Sequence, residues 1–358
     1  MRPKTHPAHK WLAALCGWIT CSALWAVDWR VSITIAAHFW LVFLLILSLQ
    51  DWHEAGRSLI IGFCIAAASQ ACIGIIELTT QSTHFLEPLK LTWPGNLTSS
   101  IRGASILKYA NGENFLRVYG TFPHPNILGG FILVSIMAAT AWILLSNKKI
   151  IIAYILLGIN TSLIAVVFSR SAWLGLITFF IVLFLRKKSF AIQKLALAAA
   201  IVMVTFIAML FPYYELFISR TTPPVTDIEK NSIAGRVWFA QRALEDIAKN
   251  PLMGLGAGSF TINLAEKINT PEPVHNIPLL VLAELGVIGF TAFTGFTIVL
   301  ARSFLHTNQP GAIIISALLC GLGVIALLDH YLWTLAPGRI LLGLVLGLGL
   351  GQLQKDAE

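Results

Sequence analysis

Apolar runs of about twenty residues recur along the whole chain, and no other feature of the sequence limits the fold as strongly. A helix needs about 20 predominantly apolar residues to cross a ~30 Å hydrocarbon core, where every backbone polar group must be satisfied within the segment itself. Ten such runs are legible, at roughly 11–27, 31–49, 58–78, 126–145, 150–168, 171–185, 191–210, 277–300, 311–328 and 338–353. Composition agrees. Of 358 residues, 56% are hydrophobic and 12% charged, and the mean hydropathy is +0.77. A soluble domain carries about twice that charged fraction, so a soluble enzyme is excluded. The expected fold is an all-α polytopic membrane protein of about ten transmembrane helices, a single integral membrane domain over 1–358.

The formal net charge of +8 does not point to nucleic acid. Lys and Arg fall in short clusters between apolar runs, as membrane topology signals and anionic headgroup contacts do. Arg2, Lys4 and Lys10 ahead of Trp11–Val27 resemble a secretory leader. No small-residue cleavage site is clear and a second span follows at once, so this stretch reads as a retained first helix. With the N-terminus inside, the inner segments hold Arg2, Lys4, Lys10, Arg57, Lys148, Lys149, Arg186, Lys187, Lys188, Lys194, Arg302 and Lys355. The short outer connectors hold only Arg30 and Arg170, with Arg339 just inside the last span. Both termini are therefore expected on the cytoplasmic side. The five cysteines all lie in apolar runs and read as small buried hydrophobes, with neither a disulfide framework nor metal-type spacing.

Two connectors are long, 79–125 and 211–275, and both fall outside by this count. Loops of such length usually carry function or their own secondary structure. Within the second, 236–249 reads as an amphipathic helix ended by Asn250-Pro251. Its apolar stripe is Val237, Ala240, Leu244 and Ile247, suited to lipid or to the helix bundle; Arg242, Glu245, Asp246 and Lys249 form the other face.

Four outward clusters can carry chemistry. Arg117-Val-Tyr-Gly-Thr-Phe-Pro-His-Pro-Asn126 leads into the fourth span; its Pro and Asn residues suit a turn with Asn126 as helix cap, while Arg117 suits an anionic headgroup. Ser169-Arg170-Ser171 leaves almost no connector between two spans, and Arg170 is either a snorkelling anchor or a guanidinium held at the mouth of the bundle. The third cluster runs from Arg236 to His275 and includes Gly254-Leu-Gly-Ala-Gly-Ser259. That glycine run follows a helix rather than a strand, so it reads as a flexible turn and not a phosphate cradle. The fourth is Asp329-His330-Tyr331 with Arg339 beyond; Tyr331 and Trp333 alternatively form an interfacial aromatic belt. Several guanidinium groups, one or two imidazoles and a carboxylate on one membrane face suit transfer from a lipid diphosphate. Bidentate Arg stabilises the charge developing on the leaving group without a metal, a neutral His takes the proton of an attacking hydroxyl, and Asp orients that His or binds sugar hydroxyls. No acidic cluster in the outer segments resembles a divalent-metal site; Asp227 with Glu229, and Glu245 with Asp246, read as solvated charges.

These segments resemble a known family. Arg-x-x-Gly-Thr-Phe-x-x-Pro-Asn before one span, Ser-Arg-Ser-Ala-Trp-Leu-Gly opening another, Asn-Pro-Leu-x-Gly-Leu-Gly-x-Gly-x-Phe, His-Asn and Asp-His-Tyr-Leu-Trp-Thr are similar, in this order, to the O-antigen ligase and polymerase superfamily, over roughly Arg117 to Trp333. The resemblance implies a GT-C-type glycosyltransferase of the bacterial inner membrane that needs neither metal nor nucleotide cofactor. Its donor would be an undecaprenyl-diphosphate-linked glycan. Its acceptor would be a hydroxyl of lipid A-core, of another glycan or of a protein, with the ligase assignment favoured. It further implies that Arg117, Arg170 and Arg236 serve the diphosphate, that His275 is the base, and that Asp329 matches a late acidic position; Arg117, Asp329, His330 and Arg339 are expected to bind substrate. A rival reading is a transporter for a lipid-linked or anionic solute, which would need ionisable groups near the bilayer midplane; His38, Glu77 and Glu284 are the candidates.

Overall fold

The computed structural model describes residues 6–50, 55–89, 97–101, 103–147, 150–221, 227–265 and 271–354. Among the topology cations, Arg2, Lys4, Lys148, Lys149 and Lys355 lie outside the described residues, as do the side chains of Arg57, Asp227 and Glu229. Among the described residues the chain is all-α apart from one hairpin. In order it forms α1 (Pro7–Cys21), α2 (Trp29–Gln50), α3 (Ala55–Thr80), β1 (Ile106–Lys108), β2 (Asn114–Leu116), α4 (Pro125–Leu145), α5 (Ile151–Val166), α6 (Arg170–Leu185) and α7 (Ile192–Leu210). There follow α8 (Tyr214–Thr221), α9 (Asp227–Lys249), α10 (Ser259–Ala265), α11 (Ile277–His306), α12 (Pro310–Leu328), α13 (Tyr331–Thr334) and α14 (Ala336–Gln354). Each of the ten expected spans has its helix. Among the described residues seven helices are long and apolar enough to cross a membrane, and α5 and α6 are shorter apolar helices. The protein is an all-α polytopic membrane protein.

The chain divides into two compact units. One comprises 1–55, 233–316 and 326–358; the other comprises 56–232 and 317–325. In the first unit α2 packs along α14, and α1 packs on α2 and α11. The α2–α14 contact depends on glycines one turn apart. A Cβ at Gly343 would meet Val42 at 2.8 Å, at Gly347 the Leu49 Cβ at 2.8 Å, and at Gly351 the Gln50 carbonyl at 2.8 Å. Small residues at this spacing let two helices approach where no hydrophobic effect drives them together.

The second unit is built around α4. Apolar on every side, α4 is buried over almost its whole length, packed against α5, α6 and α7. Polar side chains of α3 and the residue after it hold the strand that leads into α4. The Gln81 Oε1 accepts from the Leu116 N–H (2.7 Å), Glu77 Oε2 from the Tyr119 and Gly120 N–H groups (2.9 Å each), and Gln70 Oε1 from the Thr121 N–H (2.9 Å). Gln70, Glu77 and Gln81 are spaced to lie on one helical face, so a single edge of α3 fixes residues 116–121.

The amphipathic helix is present but longer than expected, and its buried face differs. Phe239, Ala243 and Asp246 are buried, whereas Val237 and Leu244 are exposed. Ala240 and Ile247 of the expected stripe are half-buried, so only part of it faces away from the protein. Asp246, expected as a solvated charge, is interior, while Glu245 pairs with Arg242 at 2.6 Å.

Candidate functional site

In the second unit the Arg117 and Arg170 motifs meet at one turn. Helices α5 and α6 are joined by Val167, Phe168 and Ser169, and Phe168 adopts φ +54°. A left-handed conformation costs a bulky L-residue about 1–2 kcal/mol. Two sets of contacts offset it. Phe168 is fully buried in an aromatic cluster with Phe115, Trp173, Tyr213 and Phe217. The Arg117 guanidinium donates to the carbonyls on both sides of the turn, to Val167 from Nε (3.1 Å) and to Phe168 from Nη2 (3.2 Å). Arg117 also donates to Ser105 Oγ (2.8 Å) and Asn126 Oδ1 (2.8 Å), and only 4% of it is exposed. Asn126 thus anchors Arg117 and does not cap α4; His124 is the cap, its Nδ1 accepting from the Asn126 N–H at 3.1 Å.

This turn sets Arg170, half-buried, as the first residue of α6, flanked by Ser169 and Ser171 hydroxyls 3.2 Å apart. Ser169 makes no side-chain capping bond. A cation at a helix N-terminus opposes the macrodipole, and an anion there relieves both charges.

In the first unit the residues converge from α9, the start of α11 and the α12–α13 junction. Asn276 caps α11 by accepting from the Leu279 N–H (2.9 Å) and donates to the Leu327 carbonyl (3.1 Å), which ties the His275 segment to the end of α12. His275, Asp329 and His330 each bring one donor atom within 4.8 Å of the others, and the two imidazoles meet edge to face with centroids 4.9 Å apart. Asp329 is buried and its Oδ1 accepts from the His330 N–H at 2.8 Å. His330 Nδ1 lies 2.7 Å from Thr334 Oγ1, whose hydroxyl donates to the His330 carbonyl. Both contacts are satisfied together when Nδ1–H donates to the Thr334 hydroxyl, the tautomer in which the lone pair of neutral His330 sits on Nε2. Arg236, half-buried on α9, acts electrostatically on both imidazoles.

Burial lowers the His275 pKa to about 4; His330 and Arg236 push it the same way, while Asp329 and Glu272 oppose. Burial also lowers that of His330, with Asp329 opposing and Arg236 adding to the fall. Both rings are neutral at pH 7 and can accept protons. The Nδ1 of His275 is buried without a hydrogen-bond partner.

Arg339 is also interior. It donates to the Trp333 carbonyl (3.2 Å) and to His38 Nδ1 (2.9 Å), with its guanidinium 5.5 Å over the Phe39 ring. Tyr331 and Trp333 are buried in this unit and form no surface belt. Glu284 accepts from the backbone of Gly258 and Phe260 and from the Trp333 indole. With Glu77 occupied by two backbone donors and His38 by Arg339, the ionisable groups expected of a transport path are engaged in holding backbone and side chains.

The glycine run is neither a phosphate cradle nor a flexible turn. Helix α11 breaks at Gly286 (φ +61°), and residues 251–256 lie against the break. The Leu255 and Gly256 N–H groups donate to the Ala283 and Glu284 carbonyls (3.0 and 2.8 Å), and the Val287 N–H donates to the Pro251 carbonyl (2.9 Å). A Cβ on Gly254 or Gly286 would fall 2.5 Å or less from facing backbone. The glycines are there for main-chain contact.

Residues 155–294 match the family model of the O-antigen ligases. That stretch is similar to the O-antigen ligases. No curated protein matches the chain. The O-antigen ligase match takes in Arg170, Arg236 and His275; Arg117, Asp329, His330 and Arg339 lie outside it. Proteins of this family are membrane glycosyltransferases and ligases that act on lipid-linked glycans. Sequence reasoning missed Thr334, Asn276, Gln70 and the structural use of Glu77. Only the helical spacing of Gln70 and Glu77 in an apolar run signalled a shared face.

Proposed function

We propose that this protein transfers a glycan from undecaprenyl diphosphate to a hydroxyl acceptor at the outer face of the bacterial inner membrane, with lipid A-core as the favoured acceptor. The observation that carries the reading is His275: half-buried, neutral, beside Asp329 and His330, and inside the O-antigen ligase match. In the reaction the acceptor oxygen forms a bond to the anomeric carbon and gives its proton to His275. The bond from that carbon to the diphosphate oxygen breaks, and the lipid diphosphate leaves with the electron pair. Asp329 stabilises the imidazolium that forms at His275. Arg236 stabilises charge on the leaving diphosphate, and for Arg170, at the N-terminus of α6, the resemblance implies a diphosphate-binding role as well. Arg117 acts by holding the turn from which Arg170 projects, and Arg339 by holding Trp333.

The test uses the full-length protein in lipid nanodiscs with an undecaprenyl-diphosphate glycan, without metal or nucleotide. Lipid A-core, a second lipid-linked glycan and a hydroxyl-bearing peptide are offered as separate acceptors. Mass spectrometry should find glycosylated lipid A-core and free undecaprenyl diphosphate, both lost in His275→Ala. Product on the glycan or peptide alone moves the assignment to polymerase or protein oligosaccharyltransferase. Absence of transfer to all three refutes it.

A further inference from the structure

We propose that His275, Asp329 and His330 form a binding site for a divalent transition cation of the Zn2+ class, and that its occupancy blocks glycan transfer. The blocking part rests on His275 being the base; the binding part does not.

The donor set is two imidazoles and a carboxylate. Two nitrogen ligands with one oxygen favour Zn2+, Co2+ or Ni2+ over Mg2+ or Ca2+, which take oxygen ligands. The Thr334 hydroxyl lies 2.7 Å from His330 Nδ1, and in the tautomer where it accepts the Nδ1 proton the Nε2 lone pair is left for a metal. This is the arrangement in which a second hydrogen bond fixes a metal-binding imidazole. His275 carries a buried nitrogen with no hydrogen-bond partner, and Asp329 is 3% exposed. The three donor atoms lie within 4.8 Å of one another. Around a tetrahedral ion with bonds of 2.0–2.2 Å, donors sit about 3.3 Å apart. Closing the set therefore requires movements of about 1.5 Å at most, which small side-chain rotations supply.

Among the described residues, Asp329 and Glu272 favour a cation at the site and Arg236 opposes it. Three protein ligands leave at least one coordination position for water or an acceptor hydroxyl. A metal here takes the imidazole lone pair that would receive the acceptor's proton, so occupancy and base catalysis exclude each other.

The experiment titrates Co2+ into full-length protein without a polyhistidine tag and follows the visible absorption of bound cobalt. Wild type should bind one equivalent that Zn2+ displaces. Asp329→Asn, His330→Gln and His275→Gln should each weaken binding tenfold or more, with folding of each variant checked by circular dichroism and gel filtration. Half-exposed His330 serves if the Asp329 variant does not fold. No cobalt band in wild type, or an unchanged band in the folded variants, overturns the site. In the transfer assay, saturating Zn2+ should lower turnover at least tenfold, reversed by EDTA. Unchanged turnover with the site filled overturns the blocking. Loss of turnover on EDTA alone, restored by Zn2+, also overturns the blocking and with it the metal-free reaction proposed above, while leaving the site in place.

Discussion

Removing the Arg117 guanidinium should unfold the turn that carries Arg170. Four bonds from one buried cation are at stake: two to the Val167 and Phe168 carbonyls, one to Asn126 Oδ1 and one to Ser105 Oγ. Hydrogen bonds to charged groups contribute about 1.5–3 kcal/mol each, and an orphaned buried acceptor costs about 1–3 kcal/mol. Adding four such terms overshoots, because Ser105 is half-buried and water entering the truncated site re-solvates the carbonyls. The cost of Phe168 at positive φ, about 1–2 kcal/mol, is then offset by its aromatic contacts alone. Arg117→Ala should therefore destabilise by about 3–5 kcal/mol, a size reserved for buried polar networks. Arg117→Lys keeps the charge but fills at most two of the four bonds, for a loss of about 2 kcal/mol. The assay is equilibrium unfolding in mixed micelles followed by tryptophan fluorescence. Trp173 is a local reporter, stacked 4.9 Å from Phe217 and packed on Phe168. A merely donor-binding Arg117 would leave the unfolding midpoint alone and raise the KM for the lipid diphosphate. Wild-type stability in Arg117→Ala with KM alone altered would refute the turn-holding argument.

Arg170→Lys should lower turnover about ten- to a hundredfold at matched expression, because an ammonium lacks the planar donor pair; near-equal activity would make Arg170 a snorkelling anchor only. His275→Ala should abolish transfer in a protein that still inserts and folds, checked by membrane extraction and product analysis. Since its pKa is lowered to about 4, His275 is unprotonated from pH 7 to about 5. The kcat/KM should stay flat over that range and fall only near pH 4, whereas an unperturbed imidazole would give a limb near 6.5. The same shift makes the folded state bind fewer protons than the unfolded one between pH 6.5 and 4. The stability linked to His275 is therefore whole above 6.5 and lost as pH falls through about 4. Transfer should survive EDTA in metal-free buffer; loss restored by one divalent ion would replace the arginine-based reaction. Gly347→Val should push α2 off α14 and lower the thermal midpoint, read by the aggregation temperature in detergent, since its Cβ would sit 2.8 Å from that of Leu49.

What the sequence made legible follows from the solvent. Hydrocarbon forces long apolar helices, so the ten runs could be found one by one and each has its helix. The Gly343, Gly347, Gly351 spacing was equally open to reading. The helix at 227–249 was legible as a helix but not by its face, because a stripe of Val237 and Leu244 facing away from the protein and one facing a core have the same period. Asp246 looked solvated because its burial depends on what packs there from elsewhere in the chain. The meeting of His275 with Asp329 and His330 was hidden for a similar reason: α11 and α12 lie between them, so no spacing rule applies. The motifs did list the reactive residue types, but only contacts divide them. Arg117 and Arg339 spend their donors on protein carbonyls and side chains, while His275 keeps a buried nitrogen unengaged.

The break in α11 bears on how much change the protein tolerates. Residues 251–256 and the helix on either side of Gly286 recognise each other through main-chain groups, and a main-chain bond is indifferent to the side chain beside it. Leu252, Met253 and Leu255 are therefore open to replacement by other apolar residues, whereas Gly254 and Gly286 admit not even a methyl group. Farther along, Asn276 clamps the chain again just before the helix that follows His275. His275 is therefore placed by main-chain contacts at the break and by the Asn276 clamp on the end of α12, so apolar replacements of Leu252, Met253 and Leu255 leave its position unchanged while a side chain at Gly254 or Gly286 would move the helix that carries it.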